Sequence, residues 1–210
     1  MTAPADPRDP TRAAAQAADV QAAVEASIGE PERFALVYDV HYRAVHRYVA
    51  ARLGPDAAED VAAEVFLTAF RDRGRFDPRR GQVRPWLFGI ATNLVGRHGR
   101  TERRRLARLR AGVEAESGFE DTVADKVAAQ RLRPQLGTAL GSLGRGDRDV
   151  LLLVAVAGLG YAEVADALGI PAGTVGSRMN RARAKVRRLL EATDAHPAPT
   201  TRKHTEDPHG

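Results

Sequence analysis

Two runs of cations stand out in this chain, each dense enough to meet a polyanion. Between Arg97 and Arg110 there are seven arginines and a single acid, Glu102. Between Arg178 and Arg188 there are Arg178, Arg181, Arg183, Lys185, Arg187 and Arg188, and no acid. Guanidinium and ammonium groups gathered in this way are either solvated helix faces or two separate places to meet phosphate. A third charged group has the opposite sign. Glu59, Asp60 and Glu64 fall at offsets that bring them to one side of a helix, where they form a solvated acidic face or a docking surface for a basic partner. With Asp56 they could hold a cation in principle, but no second ligand cluster supports a metal. No P-loop, dinucleotide glycine pattern or paired nucleophile and base occurs, so no enzymatic chemistry and no cofactor is assigned.

Composition narrows the class. The chain has 210 residues, 43% hydrophobic and 28% charged, with 32 Lys+Arg against 27 Asp+Glu. That length suits one medium domain or two small ones. Aromatics make up only 5%, so the core must rely on Ala, Val and Leu, which let helices approach closely. There is no cysteine, which excludes disulfides and thiolate metal sites and agrees with a reducing cytosol. No apolar run reaches bilayer length and the N-terminus has no apolar leader core. The expectation is a soluble cytoplasmic protein without membrane insertion.

The elements that must position these charges are helical. Residues 1–29 read as a disordered or loosely helical extension, whose large apolar residues are Val20, Val24 and Ile28. Phe34, Val37, Tyr38, His41, Val45, Tyr48 and Val49 then recur at helical spacing. Gly54-Pro55-Asp56 breaks that helix and offers Asp56 as the next N-cap. Val61, Val65, Phe66, Leu67 and Phe70 mark a second helix. Gly74 to Gly81 is a loop, and a third helix starts near Arg84 and carries Trp86, Leu87, Ile90, Leu94 and Val95. Glu114, Glu116, Glu120, Asp121 and Asp125 collect in an acidic linker. A second helical unit follows to about residue 193, and residues 194–210 read as a disordered tail whose histidines lack ligand spacing. The fold class is therefore all-α. Two small helical domains, at 30–108 and 126–193, are joined by a flexible linker at 109–125.

Tyr161 to Arg188 has the pattern of a helix-turn-helix. Ala165 is small where two helices cross, and Gly169 fits the left-handed position that ends a helix. Ile170 plugs the angle, and Pro171 suits the first turn of the next helix, where its missing N–H is not needed. Val175 and Met179 face inward; Gly176, Ser177, Asn180, Arg181 and Lys185 face outward. Such a second helix enters the major groove with its N-terminal part toward base edges.

Tyr161 to Arg183 resembles the promoter-reading domain of sigma-70 family factors, in particular the two-domain extracytoplasmic-function (ECF) group. Ala58-Glu59-Asp60-Val61-Ala62-Ala63-Glu64-Val65-Phe66 and Pro85-Trp86-Leu87-Phe88-Gly89-Ile90-Ala91-Thr92-Asn93 are similar to two further motifs of that group, in the same order. The resemblance covers about Pro31 to Leu190. It implies a non-enzymatic initiation factor that binds core RNA polymerase, recognises the −35 and −10 promoter elements and assists melting. It puts the −35 duplex against Thr174, Ser177, Arg178, Asn180, Arg181, Arg183 and Lys185, with Ser177, Asn180 and Arg181 as base readers. It puts the −10 single strand against Asn93, Arg97, the loop around His98 to Thr101 including Arg100, and Arg103, Arg104 and Arg105. It puts Glu59, Asp60 and Glu64 against a coiled coil of the largest polymerase subunit, with the flap as a second polymerase contact. An anti-sigma partner is compatible with the resemblance. Relatives usually have Lys or Arg where this chain has Gly176, and Gln where it has Ala63. Trp86 reads as a core aromatic before a stacking platform. The competing classes are a stand-alone helix-turn-helix regulator, which would need a dimerisation element not seen here, and an enzyme.

Overall fold

The computed structural model describes residues 10–79, 81–111 and 134–194. Eight α-helices are present among them, and no strand. The acidic linker beyond residue 111 and the C-terminal tail beyond residue 194 fall outside the described residues.

Helix α1 (Pro10–Ala26) comes from the stretch expected to be loose. It is a docked helix, because Val20, Ala23 and Val24 all turn into the core. Its end is tied down as well. Ser27 Oγ donates to the Val24 carbonyl at 2.6 Å, and Arg73 Nε donates to the Ser27 carbonyl at 3.1 Å. Ile28, the third large apolar residue of that stretch, is exposed. After a 3₁₀ turn at Pro31–Phe34, α2 (Ala35–Leu53) buries Val37, Val45, Tyr48, Val49 and Leu53. Gly54 ends it at φ 87°, a conformation in which a Cβ is strained.

Helix α3 (Ala58–Asp72) buries Ala58, Val61, Ala62, Val65, Phe66 and Ala69. Its N-cap is Ala57, with no side-chain cap, so Asp56 does not play the capping role its position suggested. Helix α4 (Val83–Ala111) runs unbroken for 29 residues. At its centre Tyr48 and Phe88 meet edge to face at 5.5 Å, and the Tyr48 hydroxyl lies 2.9 Å from Thr92 Oγ1. Burial pushes the Tyr48 phenol up to about 12, so it stays a neutral hydrogen-bonding group at any physiological pH.

The C-terminal unit comprises α5 (Pro134–Gly141), α6 (Arg145–Ala155), α7 (Tyr161–Leu168) and α8 (Ala172–Asp194). Leu143, Val150, Leu153, Val164, Val175 and Met179 are among its buried residues. The two helical units expected from the sequence are both present, and they are packed together. Helix α4 lies between α3 and α7, and one contiguous apolar cluster runs from Val20 to Met179 through both units.

Polar groups line that seam. Arg52 Nη1 and Asp149 Oδ1 sit 2.6 Å apart with both side chains buried. Arg84 Nη1 reaches both Glu163 oxygens at 3.1 and 3.2 Å, while its Nη2 donates to the carbonyls of Ala157 and Gly158 at 2.7 and 3.0 Å. Arg47 Nε donates to the Val156 carbonyl at 3.3 Å. Gly89 is required by the closeness of approach: a Cβ there would stand 2.7 Å from the Ala167 carbonyl oxygen. A side chain at Gly96 would likewise run into the Arg145 guanidinium.

Candidate nucleic-acid interface

The helix-turn-helix forms as its residues dictate. Helix α7 opens with the Glu163 carboxylate accepting from the Gly160 N–H at 2.8 Å, which satisfies a donor at the helix start. It closes on Gly169 at φ 61°, in the left-handed region. The Ile170 N–H then turns back to the Ala165 carbonyl at 3.1 Å. Pro171 lies just ahead of α8 and its carbonyl accepts from Thr174 and Val175 at 2.8 and 3.2 Å, which starts the second helix. Val164, Val175, Met179 and Ala182 are completely buried, and they fix the angle between α7 and α8.

Because those residues face in, the opposite side of α8 faces out. Ser177, Asn180, Arg181, Arg183 and Lys185 are exposed; Thr174 and Arg178 are half-buried. Ser177 Oγ donates to the Thr174 carbonyl at 3.0 Å. Two of the cations are already engaged. Arg181 reaches both oxygens of Asp147 on α6, with Nη2 3.1 Å from Oδ1, and Lys185 Nζ donates to the Ser142 carbonyl at 2.5 Å. The sequence reading did not single out Asp147 or Ser142, since nothing in one sequence pairs positions about 40 residues apart. A Cβ at Gly176 would meet nothing, so a larger residue fits there.

The first unit carries the second cationic face. Asn93, Arg97, Arg100, Arg104 and Arg108 are all exposed and follow one another at three- and four-residue intervals, which places them in one stripe. At 1.5 Å per residue that stripe is about 22 Å long. The segment from His98 to Thr101, expected to be a loop, is continuous helix, because nothing between Trp86 and Arg110 interrupts α4. His98 is half-buried. Arg105 is exposed and lies 3.5 Å from Glu102; the Arg103 side chain lies outside the described residues.

The acidic face sits beside that stripe. Glu59 and Asp60 are exposed, and Glu64 forms an ion pair with Arg97, so residues assigned to two different partners touch each other. Next to Glu59, Tyr38 and Tyr42 stack at 4.8 Å and Tyr38 meets Phe66 edge-on at 4.9 Å. Tyr38 and the nearby Leu67 are more than 40% exposed. Helical periodicity marks Tyr38, Phe66 and Leu67 as parts of apolar stripes without saying which part of a stripe is covered. Trp86 is half-buried, tilted on Phe76 at 5.0 Å. It packs, but it also lines a cleft of about 230 Å³ with Arg75, Phe76, Asp77, Pro85 and Asp166 of α7.

Two family models match this arrangement: Sigma-70 region 2 over residues 37–105 and Sigma-70 region 4 over residues 133–186. The chain is a member of the sigma-70 family, in its ECF group. This sigma factor is 32% identical to the ECF RNA polymerase sigma factor BldN of Streptomyces coelicolor over 79% of its own length and 63% of BldN. It is 33% identical to the ECF sigma factor SigL of Mycobacterium tuberculosis, over 79% of its length and 93% of SigL. Among solved structures it resembles CnrH in complex with the cytosolic domain of CnrY, with 30% identity, a TM-score of 0.60, and coverage of 83% of this chain and 98% of CnrH. The fold is shared with the sigma factor RpoE of Bartonella quintana, solved with the anti-sigma factor NepR, at 24% identity and a TM-score of 0.57. No helix of the sigma factor, among the described residues, is long and apolar enough to cross a membrane, and no group of metal-ligating side chains occurs among them.

Proposed function

We propose that this sigma factor binds core RNA polymerase, reads a −35 element as duplex through α8, captures a −10 element as single strand along α4, and so starts transcription without catalysing a reaction itself. The observation that carries the reading is that one chain presents two outward cationic faces on the two sigma modules. Ser177, Asn180 and Arg181 are the base readers on α8. Thr174, Arg178, Arg183 and Lys185 set register by phosphate contact, which adds affinity and salt dependence without choosing sequence. On α4, Asn93, Arg97 and the stretch from His98 to Thr101 with Arg100 form the pocket for the strand's bases, and Arg103, Arg104 and Arg105 take its phosphates. Glu59, Asp60 and Glu64 dock on a basic coiled coil of the largest polymerase subunit. The protein works where polymerase works, in the cytoplasm. The solved complexes of CnrH and RpoE support an anti-sigma protein as a further partner.

Reconstituted transcription tests this. Purified protein with bacterial core polymerase is expected to start transcripts from a small set of promoters. No transcript from any genomic fragment, together with no co-purification with core, overturns the reading. Reversing the charges of Asp60 and Glu64 is expected to weaken core binding at least tenfold while the helical signal is kept; unchanged binding would remove the docking assignment.

A further inference from the structure

The acidic face and the arginine stripe meet at one contact. Helices α3 and α4 pack side by side, with Val61 and Val65 of α3 and Leu94 and Val95 of α4 in the shared core. Glu64 stands next to Val65 in the chain, and Arg97 follows Leu94 by three residues, on the same side of its helix. Each therefore sits at the margin of the helix contact, where a stem lies along apolar surface and the charged head reaches water. There the Glu64 carboxylate accepts from Arg97 Nη2. Both side chains stay largely open to solvent, Arg97 at 63% and Glu64 at 44%. Among the described residues this is the one ion pair that joins α3 to α4. Glu59 and Asp60 form no ion pair among those residues, and Arg100 and Arg104 meet no acid there.

A pair in that position stands in the way of two ligands. A basic partner that docks on Glu59, Asp60 and Glu64 needs the Glu64 oxygens that Arg97 holds. A DNA strand that settles on α4 needs the Arg97 donors that are turned to Glu64. Each event breaks the same contact, and whichever comes first releases the group that the second requires. The cost of breaking the pair then falls on one event only. The two bindings favour each other, and by linkage each favours the other by the same factor. We propose that Glu64 and Arg97 are mutual counter-ions: Arg97 weakens polymerase docking until a strand takes it, and Glu64 weakens strand binding until polymerase takes it. This rests on the docking and strand assignments above. Its size is bounded by the worth of an exposed ion pair, about twofold to fivefold in affinity. The unpaired members of the two faces carry no such coupling and serve one partner each.

The test uses full-chain variants that each alter one charge at a solvent-open position, with circular dichroism to show that helicity is kept. In titrations against purified core polymerase without DNA, Arg97→Gln is expected to tighten binding by about twofold to fivefold, although it deletes a cation assigned to DNA. Arg100→Gln removes the same charge three residues further along α4 and should have less than half that effect. Arg97→Lys can still pair with Glu64 and should bind core as the wild type does. In titrations with a fluorescent single-stranded DNA of random sequence without polymerase, Glu64→Gln should tighten binding by a similar factor, and Asp60→Asn by less than half as much. Core binding that is unchanged or weaker in Arg97→Gln, strand binding that is unchanged in Glu64→Gln, or equal effects of the paired and unpaired variants in either titration would each overturn the proposal. If reversing the charges of Asp60 and Glu64 leaves core binding unchanged, the docking reading itself fails. If that reversal weakens core binding and Arg97→Gln does not strengthen it, the counter-ion proposal alone fails.

Discussion

Arg181 and Asp147 show how a single side chain can be both poised and restrained. The pair is exposed on the arginine side, so its net worth to folding is at most about 1 kcal/mol. Its effect on binding is larger, because the guanidinium must leave Asp147 before it reaches a base edge. Asp147→Asn is therefore expected to tighten binding to duplexes several-fold with little regard to sequence, read by titration at fixed salt. Arg181→Ala should instead cost about 1–3 kcal/mol of discrimination between −35 sequences, the range for a bidentate base contact; equal loss on all sequences would reassign it to phosphate. His41 makes a second prediction at this scale. Burial, with the Arg84 charge behind it, lowers its pKa to about 4 from the ordinary 6.5. The unfolded chain then takes up the proton first, so this residue's contribution to stability is complete above about 6.5 and is lost as pH falls toward 4. His41→Gln is expected to flatten the wild type's decline in that window, by at most about 3 kcal/mol, in denaturant melts run at pH 7, 6, 5 and 4.

At the scale of elements, the helix-turn-helix stands or falls with the few residues that set its crossing angle. Met179 is fully buried between α7 and α8, so Met179→Ala should lower stability by about 2–5 kcal/mol and abolish duplex binding before it abolishes helicity. This element was readable from the chain itself. Gly169, Ile170, Val175 and Met179 each have a backbone or packing role suited to their residue type and sit as expected, while Pro171 lies one position ahead of the helix it was expected to begin. Helix α4 was readable as a helix, but its length was not. The stretch from His98 to Thr101 looks like a loop because it is polar and holds Gly99, whereas a polar face is also what a helix that meets phosphate must present. Helix α1 was underestimated for a related reason. Val20 and Val24 are few in number, and a sequence gives no account of the surface on α2 that receives them.

For the whole molecule, the docking of the two units is the part that the sequence does not reach. Sequence patterning identifies each unit's own apolar stripe. It does not show that Arg47, Arg52 and Arg84 have their partners in the other unit, more than 70 residues away. A shared apolar cluster joined by a buried ion pair predicts that the described core melts as one body. Calorimetry on the wild type is expected to show a single transition whose van't Hoff and calorimetric enthalpies agree; two resolved transitions would mean that the units fold independently even when in contact.

Arg52 and Asp149 also constrain how this chain can be inherited. Each contributes half of a buried pair, one on either side of the 112–133 segment, and a charge left alone in such a place costs about 3–5 kcal/mol. Recombination at that segment with a relative lacking either charge yields two sound halves that no longer fit together, so the hybrid stands permanently ajar. The natural crossover point is thus a poor place to shuffle these modules, and designers of hybrid promoter readers need to carry positions 52 and 149 across as one hereditary unit.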